Sequence, residues 1–144
     1  MRKYRFLLMF FTAMLFFALS CASRMPALYD DNGDPLTIIE YEKIAQKEYE
    51  NEHYGNAIIA YEAILKNYPD NPKASAWANY EIGYCYFDQK EYDTAEIYFR
   101  KVSNEFQDPA AKKLAQDMLQ KIKEIVEEKN KKKIKKKKKQ EDTS

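Results

Sequence analysis

The chain has 144 residues, 45% of them apolar and 33% charged, with 12 Tyr and 8 Phe but only 3 Gly. One compact domain is the expectation at this length, and so few glycines argue against a turn-rich all-β fold and against a glycine-rich phosphate loop. The net charge of +1 conceals an acidic body, with 12 basic and 21 acidic side chains over residues 21–128, set between a +3 leader and a +7 tail.

Arg2, Lys3 and Arg5 open the chain, and Phe6 to Leu19 follow as an apolar run interrupted only by Thr12. A bilayer core needs about 20 apolar residues. This run is shorter and has the length of a secretory h-region. Ala18-Leu19-Ser20-Cys21 then resembles the lipobox of bacterial lipoproteins, although the usual Leu stands three residues before the Cys and Leu19 stands two before. The resemblance implies a signal peptide over residues 1–20 and a lipid on Cys21. The alternatives are an uncleaved signal anchor, or a plain signal peptide with Cys21 an incidental thiol. Several acyl chains anchor stably where a single chain binds only marginally. By analogy with enteric bacteria, Ala22 in place of Asp favours the outer membrane over the inner.

Residues 21–36 are rich in turn formers, namely Pro26, Asp30, Asp31, Asn32, Gly33, Asp34 and Pro35, and are expected to form a flexible tether. Asp30-x-Asn32-x-Asp34 mimics the start of a calcium loop. Such a loop needs Gly at its sixth place and Glu at its twelfth, where Pro35 and Tyr41 stand, so no metal is expected.

Thr37-Ile38-Ile39-Glu40 forms a capping box, and a first helix runs from it to about Asn51. After a break at His53–Gly55 a second helix spans about Tyr54 to Asn67. Asn71 caps a third, with Pro72 at its first position, ending near Gln89. Lys90-Glu91 makes the next turn, and a fourth helix reaches about Phe106. Asp108-Pro109 repeats the cap-plus-proline start of a fifth helix, which ends near Lys129 and has the apolar stripe Leu114, Met118, Ile122 and Ile125. The like-charge block from Lys131 to Lys139 predicts a disordered tail over 130–144, or a frayed helix extension. The tail is either merely solubilising or a contact for anionic lipid headgroups or acidic cell-wall polymers. Its charge also suits nucleic acid, which an exported protein does not meet.

Shifted by 38 residues, the sequence overlays on itself. Ile44-Ala45 meets Ile82-Gly83, Tyr54 meets Tyr92, and Ala57 meets Ala95. Tyr61 meets Phe99, Ile64 meets Val102, and Tyr68 meets Phe106. Small residues recur where helices cross closely, and large ones recur beside the crossing. The pattern resembles the tetratricopeptide repeat, whose basic unit is about 34 residues. Glu48 departs from it, standing where the repeat expects a tyrosine. The resemblance implies an all-α fold of two helical hairpins, about 38–70 and 73–108, with a capping helix over 109–129, wound as a right-handed α-solenoid. Two repeats are few for independent stability, because stacking must bury both end faces, so a homo-oligomer or a permanent partner is expected to matter.

Within the stretch Glu52 to Phe106, Ile82-Gly83-Tyr84-Cys85-Tyr86-Phe87 and Asn67-Tyr68-Pro69-Asp70 look similar to repeats of outer-membrane assembly lipoproteins of the BamD type and of Tol-Pal-associated periplasmic proteins. A cysteine shortly before the first helix also resembles the BamD type, which carries more repeats than this chain. In such repeats the inner helix of each pair lines a groove. Carried over residue by residue, the groove positions are Glu42, Gln46, Tyr49 and Glu50, then Trp77, Tyr80, Tyr84, Phe87 and Asp88. An aromatic strip with an acidic edge suits an extended or helical peptide, although each ring has the alternative of packing against the fifth helix or the tether. Carboxylate-clamp members of the family use Lys and Asn where Glu42, Gln46, Tyr80 and Tyr84 stand, so a C-terminal carboxylate is a poor ligand.

No catalytic constellation is visible. His53 is the sole histidine and cannot build a zinc site or a Ser-His-Asp triad alone. Cys85 reads as a small buried residue with no base beside it. The expectation is a non-enzymatic protein-interaction scaffold of the bacterial envelope, with no cofactor beyond a lipid on Cys21 and no nucleic acid. The alternative is a structural lipoprotein acting through its basic tail on anionic lipid or wall polymer.

Overall fold

The computed structural model describes residues 25–141. The expected signal peptide and Cys21 lie outside the described residues. Among the described residues five helices follow in chain order: α1 (Ile38–Glu50), α2 (Tyr54–Asn67), α3 (Pro72–Asp88), α4 (Tyr92–Glu105) and α5 (Pro109–Glu141). Each packs on the next along the chain, and α5 also reaches α3. This is an all-α helical-repeat solenoid, the architecture that the resemblance to the tetratricopeptide repeat implies. Among the described residues, no helix is long and apolar enough to cross a membrane.

Local chemistry sets where three of the helices begin. At α1 the backbone N–H of Thr37 donates to Glu40 Oε2 at 2.8 Å, and the N–H of Glu40 donates back to the Thr37 hydroxyl at 3.4 Å. Those bonds hold the Glu40 carboxyl below its usual range, the Thr37 side-chain bond contributing most. At α3 the N–H of Ala74 donates to Asn71 Oδ1 at 3.0 Å, and Pro72 needs no donor there. At α5 the N–H of Ala111 donates to Asp108 Oδ1 at 2.8 Å. The helices α2 and α4 start differently, without a side-chain cap. Each follows a left-handed residue, Glu52 (φ 60°) or Lys90 (φ 64°). Around each, the same pair of bonds closes the preceding helix. The N–H groups of His53 and Glu52 donate to the carbonyls of Glu48 and Tyr49, and those of Glu91 and Lys90 donate to Tyr86 and Phe87. These are Schellman turns. They stand 38 residues apart, so the repeat holds in the backbone as well as in the side chains.

The core follows the matched positions. Ala57 and Ala95 are fully buried, as are Ile64 and Val102, and Tyr61 and Phe99 fill the space beside them. Each such aliphatic or aromatic side chain stabilises by roughly 1.5–3 kcal/mol when buried. Gly83 allows α3 to approach α4 closely, since a Cβ there would stand 3.0 Å from Phe99 Cε1 and 3.1 Å from Tyr98 Cβ. Where repeat two stacks Tyr86 on Tyr98, with ring centroids 5.6 Å apart, repeat one has a polar tie. Glu48 accepts from Asn56 Nδ2 at 2.9 Å and lies 3.0 Å from His53 Nδ1. The Asn56 bond is the largest cause of the lowered Glu48 carboxyl. The departure at Glu48 is therefore a substitution of one local bond for another.

Three expectations need correction. The end of the tether is not a free spacer. Leu28 and Leu36 pack against the first core cluster, and Tyr29 bridges to Pro35. The fully buried Tyr41 donates its hydroxyl to the Leu28 carbonyl at 2.8 Å and accepts from the Leu36 N–H at 3.2 Å and from Asn67 at 3.0 Å. A buried hydroxyl needs partners, and the tether backbone supplies them. Asp30, the first residue of the calcium-like run, accepts from the N–H groups of Asn32 and Asp34, which makes a local turn.

The second correction concerns the face of α5. Ala111, Ala115, Met118 and Ile122 are buried, whereas Leu114 is 40% exposed and Ile125 lies at the margin. Alanines let α5 close on α4, and that turns Leu114 outward. The third concerns the tail. Instead of a disordered segment from residue 130, α5 continues to Glu141, 33 residues in all, about 50 Å at 1.5 Å per residue. No Gly or Pro interrupts this stretch, lysine is a good helix former, and Lys132 pairs with Glu128 at 2.7 Å.

Candidate functional site

The inner helices α1 and α3 run beside each other with α2 behind them. Between them lies a cleft of about 440 Å³, lined by Glu42, Gln46 and Tyr49 of α1, Tyr61 and Ile64 of α2, and Trp77, Ala78 and Glu81 of α3. Four residues expected in the groove line it: Glu42, Gln46, Tyr49 and Trp77. Tyr84 and Asp88 do not line it, but both contact Tyr49, which does. Tyr49 donates its hydroxyl to Asp88, and its ring lies 6.2 Å from that of Tyr84. Glu50 points away into solvent and accepts from Gln46 Nε2 at 3.1 Å.

Two of the expected groove residues are core instead. Tyr80 is 8% exposed and packs on Phe99, with centroids 5.5 Å apart, while burial pushes its phenol up to about 12. Phe87 is 9% exposed, wedged against Tyr92 and covered by the Lys121 ammonium 4.9 Å above its ring. Helices α4 and α5 together therefore take these two rings from the groove. Tyr84 is shared, touching both Tyr80 and Phe87 at centroid distances of 6.1 Å. Glu81, Tyr61, Ile64 and Ala78 were not among the expected positions. For Glu81 a signal existed: Trp77, Glu81, Tyr84 and Asp88 lie three or four residues apart and share one helix face.

The electrostatics of the cleft are one-sided. No Lys or Arg lines it, and two carboxylates do. Burial first, and the neighbouring Glu42 charge second, raise the Glu81 carboxyl above its ordinary value. Tyr61 is likewise held high by burial, with Glu81 and Glu42 adding to it. Behind the cleft, Cys85 is 1% exposed and its thiol is pushed up to about 12, mainly by burial, so it is a packing residue and not a nucleophile. Among the described residues, no group of three or more His, Cys, Asp or Glu is placed to hold a metal ion.

Residues 48–118 match the tetratricopeptide repeat. The matched stretch runs from Glu48, through both Schellman turns, to Met118 on the buried face of α5. Tetratricopeptide repeats are in the main non-catalytic scaffolds that bind other proteins. Neither a curated protein nor a solved structure matches the chain significantly.

Proposed function

We propose that the chain is a non-enzymatic protein-interaction scaffold of the bacterial cell envelope, held to a membrane by lipid on Cys21, with the cleft between α1 and α3 as its docking face. The observation that carries this reading is the cleft itself, open to solvent and walled by Tyr49 and Trp77. Aromatic anchors of this kind each contribute on the order of 2 kcal/mol when a partner covers them. The h-region over Phe6 to Leu19 and the lipobox-like Ala18-Leu19-Ser20-Cys21 support the anchor. The similarity of Ile82 to Phe87 to BamD-type repeats supports a place in outer-membrane assembly or maintenance, facing the periplasm.

Affinity capture from detergent-solubilised membranes tests the scaffold. A stoichiometric partner is expected with the native chain and is expected to be lost with Trp77→Ala. Capture unaffected by that change would remove the cleft from the function. Labelling cells with a fatty-acid analogue, with and without Cys21→Ala, tests the anchor, and an unlabelled native chain would overturn it. A second reading rests on the exposed lysines of α5, Lys131 to Lys136. They would place the basic end of α5 on anionic lipid. Deleting residues 130–144 from the unlipidated Cys21→Ala chain would then abolish its binding to anionic vesicles, and the same deletion in the native chain would leave partner capture intact.

A further inference from the structure

The cleft holds two acidic side chains that the protein leaves uncompensated. Glu42 reaches it from α1 and Glu81 from α3. Among the described residues neither accepts a hydrogen bond or pairs with a cation; the ion pairs lie at His53–Glu48, Arg100–Glu96, Lys113–Asp117 and Lys132–Glu128. Glu81 is partly buried and Glu42 exposed, and two like charges lining one cleft are unfavourable until a positive group enters. The remaining walls suit a particular kind of positive group. Trp77 offers the best aromatic face for a cation, and Ile64 and Ala78 give apolar surface for the stem of a long side chain.

We infer that the cleft takes an arginine side chain from a basic peptide segment of the partner protein. The guanidinium lies against Trp77 and faces the carboxylates of Glu42 and Glu81. Arginine suits the site better than lysine because its planar guanidinium stacks on aromatic rings, is weakly hydrated, and presents several donors to two acceptors at once. The volume of about 440 Å³ fits a long side chain with its neighbours. It does not fit a whole helix, about 10–12 Å across. The inference rests on the scaffold reading and narrows the class of its partner.

The sole tryptophan of the chain stands in the cleft wall, so its fluorescence reports occupancy directly. The full chain in detergent is titrated with the capped peptide Gly-Leu-Arg-Leu-Gly and with versions carrying Lys, Gln or Glu in the central place. A saturable Trp77 response is expected for the arginine peptide, weaker for lysine, and lower in affinity by about tenfold or more for glutamine and glutamate. Glu81→Gln and Glu42→Gln are expected to lower arginine-peptide affinity to a similar degree, and the exposed Glu50→Gln to leave it unchanged. Far-ultraviolet dichroism of each variant checks that the helices persist. Equal binding of the four peptides, or no response to any, would overturn the inference. A Trp77 spectrum that shifts with protein concentration alone would assign the cleft to the basic end of a second copy and overturn it too. The two readings fail separately. A captured partner lost with Trp77→Ala but retained by Glu42→Gln/Glu81→Gln would leave the scaffold standing and remove the arginine.

Discussion

Tyr49 donates its hydroxyl to the carboxylate of Asp88, joining the last turn of α1 to the last turn of α3 across 39 residues of chain. The bond links the two repeats at the end of the cleft. Burial, followed by this bond, holds the Tyr49 phenol above its ordinary value. Bonds to charged acceptors in partly buried places contribute about 1.5–3 kcal/mol. Tyr49→Phe and Asp88→Ala are each expected to lower stability by about 1–3 kcal/mol in urea denaturation. The double variant is expected to lose about 1 kcal/mol less than the sum of the two. Strict additivity would show that the bond does not couple the repeats.

The turn residues Glu52 and Lys90 carry a conformational cost that the rest of each turn overcomes. Both are non-glycine residues with positive φ at the αL position of a Schellman turn. Glycine adopts that geometry without steric cost. Lys90→Gly and Glu52→Gly are each expected to raise stability by about 0.5–1 kcal/mol, because neither side chain is buried. Chemical denaturation of the two variants reads this directly, and a loss of stability in both would show that the side chains matter more than the backbone.

Glu81 gives the fold a definite pH signature. Its carboxyl is raised above 4.5 by burial and by Glu42. A group raised in the folded state contributes stability that is complete below its unfolded value and is lost as the pH rises through its folded value. At neutral pH the ionised side chain is therefore a cost, which Glu81→Gln removes. The variant is expected to melt a few degrees higher than the native chain at pH 7. The gap should close as the pH falls below about 4.5, the ordinary value. Melting curves at several pH values check it, and a gap that is constant across them would show that the charge is not its source.

Much of this architecture is written in interactions between residues three to five apart. The caps at Thr37, Asn71 and Asp108 are of that kind, and so are the breaks between helices and the repeat of small and large residues around Ala57 and Ala95. They are legible because a side chain and the backbone it caps are close in the sequence. The left-handed geometry of Glu52 and Lys90 is not legible in the sequence, because no glycine marks it.

What the tertiary structure alone decided is which surfaces are covered. Tyr41 recruits the tether from 13 residues away through Leu28, a contact that no local pattern announces. Tyr80 and Phe87 look like groove aromatics from their register, but α4 and α5 bury them, while Glu81 on the neighbouring face is left looking into the cleft. Register places a side chain on a face of its helix. Only the packing of the next helix determines whether that face is core or binding surface, because burial depends on atoms supplied from elsewhere in the chain.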